Sequence, residues 1–310
     1  MINPILASSA RRRMRSIRTP ILITLYGAMI FAVGLGAAFG AFASSTLSIF
    51  AMREGVTAYA AMLAIQFAMI LLITPAMTAG SIAGERERQT LDMLLVTNTG
   101  SLRIVAGKLL ESLGYALLLV AALPTMCLTL ITGGVTLADV LTGALFLLVT
   151  AFAALSVGVF ASAVFRRTVT ATVMAYLLVF LIGVVTLLPM VLGVSYIGSH
   201  YDDMYASTMA SSVAVIGGAD AAASGLSVNA FIYSPAMGLM ALIADQTSLL
   251  KNTLMDYSYT MYRIYDYLDF SAIKWENMAF MAGAGLLLDL LAACFVRPRE
   301  ARLRRRSAKK

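Results

Sequence analysis

Apolar positions in this chain fall in long, nearly uninterrupted runs, not in one-sided stripes. They occupy 20–42, 57–82, 109–131, 140–164, 168–192 and 277–296. Each run is long enough to cross the ~30 Å hydrocarbon layer as a helix, which takes about 20 residues. Polar stretches separate them: 1–18, 83–108, 193–276 and 297–310. The pattern predicts an all-α integral membrane protein, a single domain with six transmembrane helices over 1–310.

The polar stretches have patterns of their own. Asn3-Pro4 is a good helix start, with Asn as cap and Pro in the first turn. Leu6, Ala10, Met14 and Ile17 then form a stripe among Arg11, Arg12, Arg13, Arg15 and Arg18. This fits an interfacial helix on an anionic leaflet, or a basic flank that orients the first span. Ala41-Phe42-Ala43 looks like a signal-peptide cleavage site. The apolar run before it is too long for an h-region of ~7–15 residues, so it reads as a span. Gly36 and Gly40 form a small-xxx-small pair. Arg53 and Glu54 read as loop residues, Asp139 as part of a short turn, and Arg166-Arg167 as a turn on the opposite side. Pro75 and Pro124 lie within spans, where neighbours can satisfy the carbonyls they release.

The segment from Ser81 to Leu110 carries a dense charge block: Glu85, Arg86, Glu87, Arg88 and Asp92. Read as a helix from Glu85 to Leu95, it places Leu91, Leu94 and Leu95 on one face. Glu85 with Arg88, and Arg88 with Asp92, are spaced to pair along the other. Thr97 to Gly100 reads as a turn, with Ser101 as a cap for the next helix. A solvated loop helix and a handle for a soluble partner both fit these residues.

The run Pro75-Ala-Met-Thr-Ala-Gly-Ser-Ile-Ala-Gly-Glu-Arg-Glu-Arg-Gln-Thr-Leu-Asp-Met-Leu-Leu resembles the hallmark segment of ABC-2 type transporter permeases. Gly107 to Leu110 is similar to the Gly-Lys-Leu-Leu that opens that family's third span. Asn3-Pro4, Ser234-Pro235 and the six-span plan are also similar. Residues 1–18 depart from the family pattern, because they hold no acid. The resemblance implies that 83–108 is a cytoplasmic coupling segment whose helix presses on a separate ATP-hydrolysing subunit. The implied contact residues are Gly84, Glu85, Arg86, Glu87, Arg88, Gln89, Thr90 and Leu91. It also implies a permease dimer with a second copy or homologue, alternating access, and export. ATP would be bound by the partner, with no cofactor in this chain.

Residues 193–276 change character. Acids appear at Asp202, Asp203, Asp220, Asp245, Asp256, Asp266 and Asp269. The stretch 221–244 is uncharged and tempts a seventh span, but an odd count would put the basic tail outside. It reads instead as a re-entrant or surface-lying helical segment, interrupted at Ser234-Pro235. Tyr257, Tyr259, Tyr262, Tyr265, Tyr267, Phe270 and Trp275 suit a membrane interface, with a substrate-facing role as the alternative. Asp289 lies within the last span, eight residues before Arg297. An intramembrane acid is either a structural polar contact, the favoured reading, or a proton or ion site.

Charge then fixes orientation. With both termini cytoplasmic, every Lys and Arg falls inside except Arg53, Lys251, Arg263 and Lys274. Residues 297–310 are a basic tail suited to anionic lipid. The composition agrees, with 60% hydrophobic and 13% charged residues and a mean hydropathy of +0.86. The net charge of +7 sits beside apolar spans, without a nucleic-acid fold signature, so nucleic acid is not an expected partner. No Gly-x-x-x-x-Gly-Lys-Ser/Thr run occurs to cradle nucleotide phosphates. His200 is the only histidine, which excludes a His-cluster metal site, and catalytic residues are not expected. Cys127 and Cys294 lie in apolar runs and read as packing residues. The expectation is a plasma-membrane, multi-pass permease subunit that is not itself an enzyme. An ion-coupled secondary transporter and a non-transporting membrane anchor or sensor are the alternatives.

Overall fold

The computed structural model describes residues 27–28, 31–32, 35–36, 49–90, 101–120, 135–183, 233–246 and 270–296. Residues 27–28, 31–32 and 35–36 are helical, and the helices with described bounds are α1 Ile49–Ala79, α2 Ala83–Glu87, α3 Ser101–Val120, α4 Leu137–Val164, α5 Thr168–Gly183, α6 Pro235–Gln246 and α7 Phe270–Val296. Among the described residues there is no strand. Three helical stretches are long and apolar enough to cross a membrane: Val56–Glu87, Leu137–Val164 and Ser271–Val296. α5 is apolar but shorter within the described residues. The expected interfacial helix 1–18, most of the first span 20–42, the ends of the third and fifth spans, and the tail 297–310 lie outside the described residues.

Several long helices begin earlier than expected. α1 begins at Ile49, so Arg53 and Glu54 sit on helical backbone, not in a loop. α3 begins at Ser101, which makes Ser101 its first residue instead of its cap, and starts the helix well before Leu109. α7 begins at Phe270, so Trp275 belongs to its first turns and not to a separate interfacial helix. The rest of the aromatic segment, 257–269, lies outside the described residues. Asp139 is helical too: Thr136 and Asp139 form a capping box at the start of α4. The Thr136 N–H donates to Asp139 Oδ2 (2.9 Å) and the Asp139 N–H to Thr136 Oγ1 (3.3 Å). Apolar windows locate the buried centre of a span. They miss turns that extend beyond it with polar residues.

The chain divides into two units, Met1–Val179 with Met281–Lys310, and Phe180–Phe280. In the first, α4 is the most buried of the three long apolar helices, and its buried residues include many small ones: Gly143, Thr150, Ala151, Ala154, Gly158, Ala161 and Ser162. They let α1 approach closely. A Cβ at Gly143 would stand 2.7 Å from the Tyr59 hydroxyl. One at Gly158 would overlap the Thr78 hydroxyl and stand 3.0 Å from the Pro75 carbonyl oxygen.

The contacts also fix direction. The Tyr59 hydroxyl donates to the Asp139 carbonyl (2.9 Å), Phe67 stacks on Phe146, and the Ile82 N–H donates to Ser162. The sequence separation is 80 at both ends of this contact, so α1 and α4 run parallel. Ser156 meets Asp289 and Phe160 meets Phe295, so α4 and the second half of α7 run parallel as well. α5 runs the other way, with Thr168 beside Glu87 and Tyr176 donating to the Leu72 carbonyl (2.6 Å). That carbonyl lies one residue past the one Pro75 releases, and α1 continues through the proline. Ile82, Val105, Val159, Ala163, Ala292, Ala293 and Val296 form one apolar cluster where α3 starts and α1, α4 and α7 end.

Side chains facing away from these contacts remain apolar. Val173, Leu177 and Phe180 line α5, and Leu286, Leu287, Leu290 and Phe295 line α7, all exposed. Cys294 is exposed on the same helix, not packed as the sequence suggested. Cys127 lies outside the described residues.

In the second unit, α6 holds 12 residues, about 18 Å of helix at ~1.5 Å per residue. That is short of the ~30 Å a span needs. Asn277 Nδ2 donates to the Ser234 carbonyl (2.8 Å), Tyr233 packs on Phe280, and Lys274 pairs with Asp245. Of the stretch 221–244, residues 221–232 lie outside the described residues.

Candidate functional site

α2 is a five-residue helix that depends on other elements for its end groups. Ile82 precedes it in helical backbone geometry and offers no side-chain cap. Ser162 of α4 supplies one, its Oγ accepting the N–H groups of Ile82 and Ala83, each at 2.8 Å. Both are among the donors a helix start leaves without intrahelical partners.

The charges of α2 then return the service. Arg86 Nη1 donates to the carbonyls of Ala163 (3.1 Å) and Phe165 (3.4 Å) at the end of α4, where a cation is favoured. Glu87 Oε2 accepts from the Thr168 hydroxyl (2.9 Å) and the Thr168 N–H (3.3 Å) at the start of α5, where an anion is favoured. The side-chain bond first and the backbone bond second hold the exposed Glu87 carboxyl below its ordinary value, with Arg167 and Arg88 adding to the effect. Glu85 Oε1 pairs with Lys108 Nζ of α3 at 2.6 Å. Gly84 lies against Thr168, 3.4 Å separating its would-be Cβ from the threonine methyl. The segment is thus tied to α3, α4 and α5 through separate groups.

This corrects the charge pattern read from the sequence. Glu85 pairs with Lys108, not with Arg88 along one helix face. Glu85, Arg86 and Glu87 are engaged inside the chain. Glu87, Arg88, Gln89 and Thr90 remain exposed. The helix also stops short of Leu95. Gln89 has φ 59, its N–H donates to Arg86 O (3.2 Å), and the Thr90 N–H donates to Glu85 O (2.9 Å). That is a Schellman closure with glutamine in the left-handed position that glycine usually fills. Leu91, Asp92, Leu94, Leu95 and the turn Thr97 to Gly100 lie outside the described residues.

Asp289 lies in α7 away from this collar. Its Oδ2 accepts from the Ser156 hydroxyl of α4 at 3.0 Å, while its Oδ1 is buried without a hydrogen bond. One turn earlier, Gly285 lets the Phe152 ring approach, to 2.7 Å from where a Cβ would stand. Arg297, considered as its neighbour, lies outside the described residues.

Ser162, Thr168 and Ser156 are the site residues that the sequence reading missed. Only a hydroxyl within an apolar run marked the first and last. Gln66 was missed as well: it is fully buried in α1, with neither amide atom hydrogen-bonded. Among the described residues, no three His, Cys, Asp or Glu side chains gather as a metal site would need. No protein-family model matches the chain, and no curated protein matches it.

Proposed function

We propose that this chain is the membrane-spanning permease subunit of an ATP-binding cassette transporter, of the ABC-2 type that its 75–95 segment resembles. It works as an exporter, in a dimer with a second permease copy or homologue, in the plasma membrane. A separate ATPase subunit binds and hydrolyses ATP. The observation that carries this reading is the collar around α2. An exposed tip, Arg88 to Thr90, is joined by Ser162, Arg86, Glu87 and the Glu85–Lys108 pair to α3, α4 and α5. A displacement applied to that tip is carried to three helices together, as alternating access requires. A loop that only joined two spans would need none of these ties.

The helix directions support the six-span plan. Parallel α4 and α7 require an odd number of crossings between them, and among the described residues α5 runs the opposite way to both. A further full crossing by 221–244 would reverse α7. Cysteines placed at residues 90 and 305 should therefore resist an impermeant thiol reagent in intact cells, and one at residue 203 should label. Labelling at 305 from outside would remove the six-span reading.

The partner is tested by a photo-crosslinking amino acid at Gln89 in native membranes, with the captured protein identified by mass spectrometry. An ATP-binding subunit should be captured. Recovery of the chain alone, or of a protein that binds no nucleotide, would overturn the proposal in favour of an anchor or sensor. An ion-coupled carrier is the second reading, favoured by Asp289 and its unpartnered Oδ1. It would transport on a proton gradient without ATP.

A further inference from the structure

The linear sequence presents a mixed block of two acids and two bases. Folding sorts them. Glu85 turns to Lys108, Glu87 is hydrogen-bonded by Thr168, and Arg86 is taken up by two carbonyls of α4. Arg88 is left exposed on the α2 turn, and Arg166 and Arg167 are exposed on the turn between α4 and α5. Among the described residues, none of these three guanidiniums makes a hydrogen bond or salt bridge.

The contacts between the two turns join residues 79 and 81 apart in sequence. Arg86 touches Phe165, and Glu87 touches Thr168, so the residues next to each contact, Arg88 and Arg166-Arg167, lie on turns that are joined directly. Arg88 and Arg167 both act electrostatically on the Glu87 carboxylate, so both lie near it. The one exposed acid in the group therefore has its accepting capacity partly spent on Thr168. The surface offered outward is cationic and is built from both turns.

We infer that the docking surface is a two-turn arginine patch, Arg88 with Arg166 and Arg167, and that it fits a carboxylate-rich surface on the ATP-binding subunit. This rests on the permease reading above and adds the second turn and the sign of the partner's charge. A guanidinium can meet a carboxylate through two parallel N–H donors, so arginine gives geometric as well as electrostatic selectivity. The 166–167 turn also gives the partner direct purchase on α4 and α5. Its motion then need not pass through α2 alone.

The test uses the Gln89 photo-crosslinker in native membranes, in the wild-type chain and in Arg88→Gln, Arg166→Gln/Arg167→Gln and the corresponding lysine variants. A cysteine at residue 203, labelled from outside, reports correct insertion of each. Arg88→Gln and Arg166→Gln/Arg167→Gln should each lower capture of the ATP-binding subunit by roughly tenfold, because each removes charge contacts from the interface. Raising salt from about 50 to about 500 mM should weaken wild-type capture in the same direction, since exposed charge pairs are screened. The lysine variants should keep most of the capture. If the wild-type chain captures no ATP-binding subunit, the permease reading falls and takes this inference with it. If it captures one and Arg166→Gln/Arg167→Gln captures as much, with no effect of salt, the permease reading stands and the arginine patch is overturned. Arg88→Gln alone keeps the test decisive should the double variant fail to insert.

Discussion

Replacing Gly158 with valine is expected to abolish a stable, monodisperse protein in detergent. At this position the backbone of α4 lies close against α1. Even a single Cβ would overlap the Thr78 hydroxyl and press to 3.0 Å on the carbonyl oxygen of Pro75. The threonine cannot easily turn away, because its hydroxyl already donates within α1 to Thr74 O at 3.1 Å. The proline carbonyl is backbone and moves only if the helix does. Overpacking of a tight interior costs about 1–3 kcal/mol and more when backbone must shift. With backbone on one side, the upper end or beyond is expected, a large part of a typical stability of ~5–15 kcal/mol. The measurement is the fraction that stays monodisperse on size exclusion after graded heating. Gly107→Ala serves as the control. It lies in α3 with nothing within 4 Å of its would-be Cβ. It should gain up to about 1 kcal/mol from the better helix propensity of alanine. Equal melting of Gly158→Val and wild type would show that the α1–α4 contact is not as close as described.

Ser162→Ala should be the second most damaging single change, and its effect should be local. One buried oxygen accepts two backbone N–H groups, of Ile82 and Ala83, both at 2.8 Å. Removing it leaves two buried donors unmet, at about 1–3 kcal/mol each. α2 has no cap of its own to substitute. Amide hydrogen exchange at 82 and 83 should rise by roughly a hundredfold if about 3 kcal/mol is lost there, at 1.4 kcal/mol per factor of ten. Exchange in the middle of α4, around Leu147, should stay slow. Unchanged exchange at 82 and 83 would mean that packing, not Ser162, holds the start of α2. If the chain is the permease proposed above, the same variant should uncouple ATP from transport while leaving the Gln89 crosslink in place, because the tip survives but its tie to α4 is cut.

The charge swap Glu87→Arg with Arg88→Glu would not be a clean probe of partner binding in this fold. Reversing Glu87 removes the acceptor for two donors at the start of α5 and puts a cation at a helix N-terminus. Arg88 is the better probe, since its side chain holds no structural bond among the described residues. A sequence presents both charges alike. Only the fold separates the one that holds a helix end from the one that faces outward.

Other features were legible and simply extend further than a window shows. The capping box at Thr136 and Asp139 is a Thr-x-x-Asp run, close to the Ser/Thr-x-x-Glu/Gln pattern of helix starts. Asp139 could have been placed in α4 on that ground. The stop of α2 at Gln89 had no such mark, because the left-handed residue is glutamine and not the glycine or asparagine that usually signals it.

What the one-dimensional pattern determined is the class of solution. Runs of about 20 apolar residues have only one way to satisfy their backbone in a bilayer, which is to be helices. That is why the long helices at Val56–Glu87, Leu137–Val164 and Ser271–Val296 fall where the runs are. The tertiary structure decided which polar groups meet. Ser162 with Ile82, Glu87 with Thr168, and Asp289 with Ser156 are contacts between residues 80 or more apart in sequence. Their partners depend on the rotation and register of packed helices, set by where small residues such as Gly143 and Gly158 let backbones approach. Hydrophobic periodicity has little to say about that rotation here, because these helices are apolar on nearly every side.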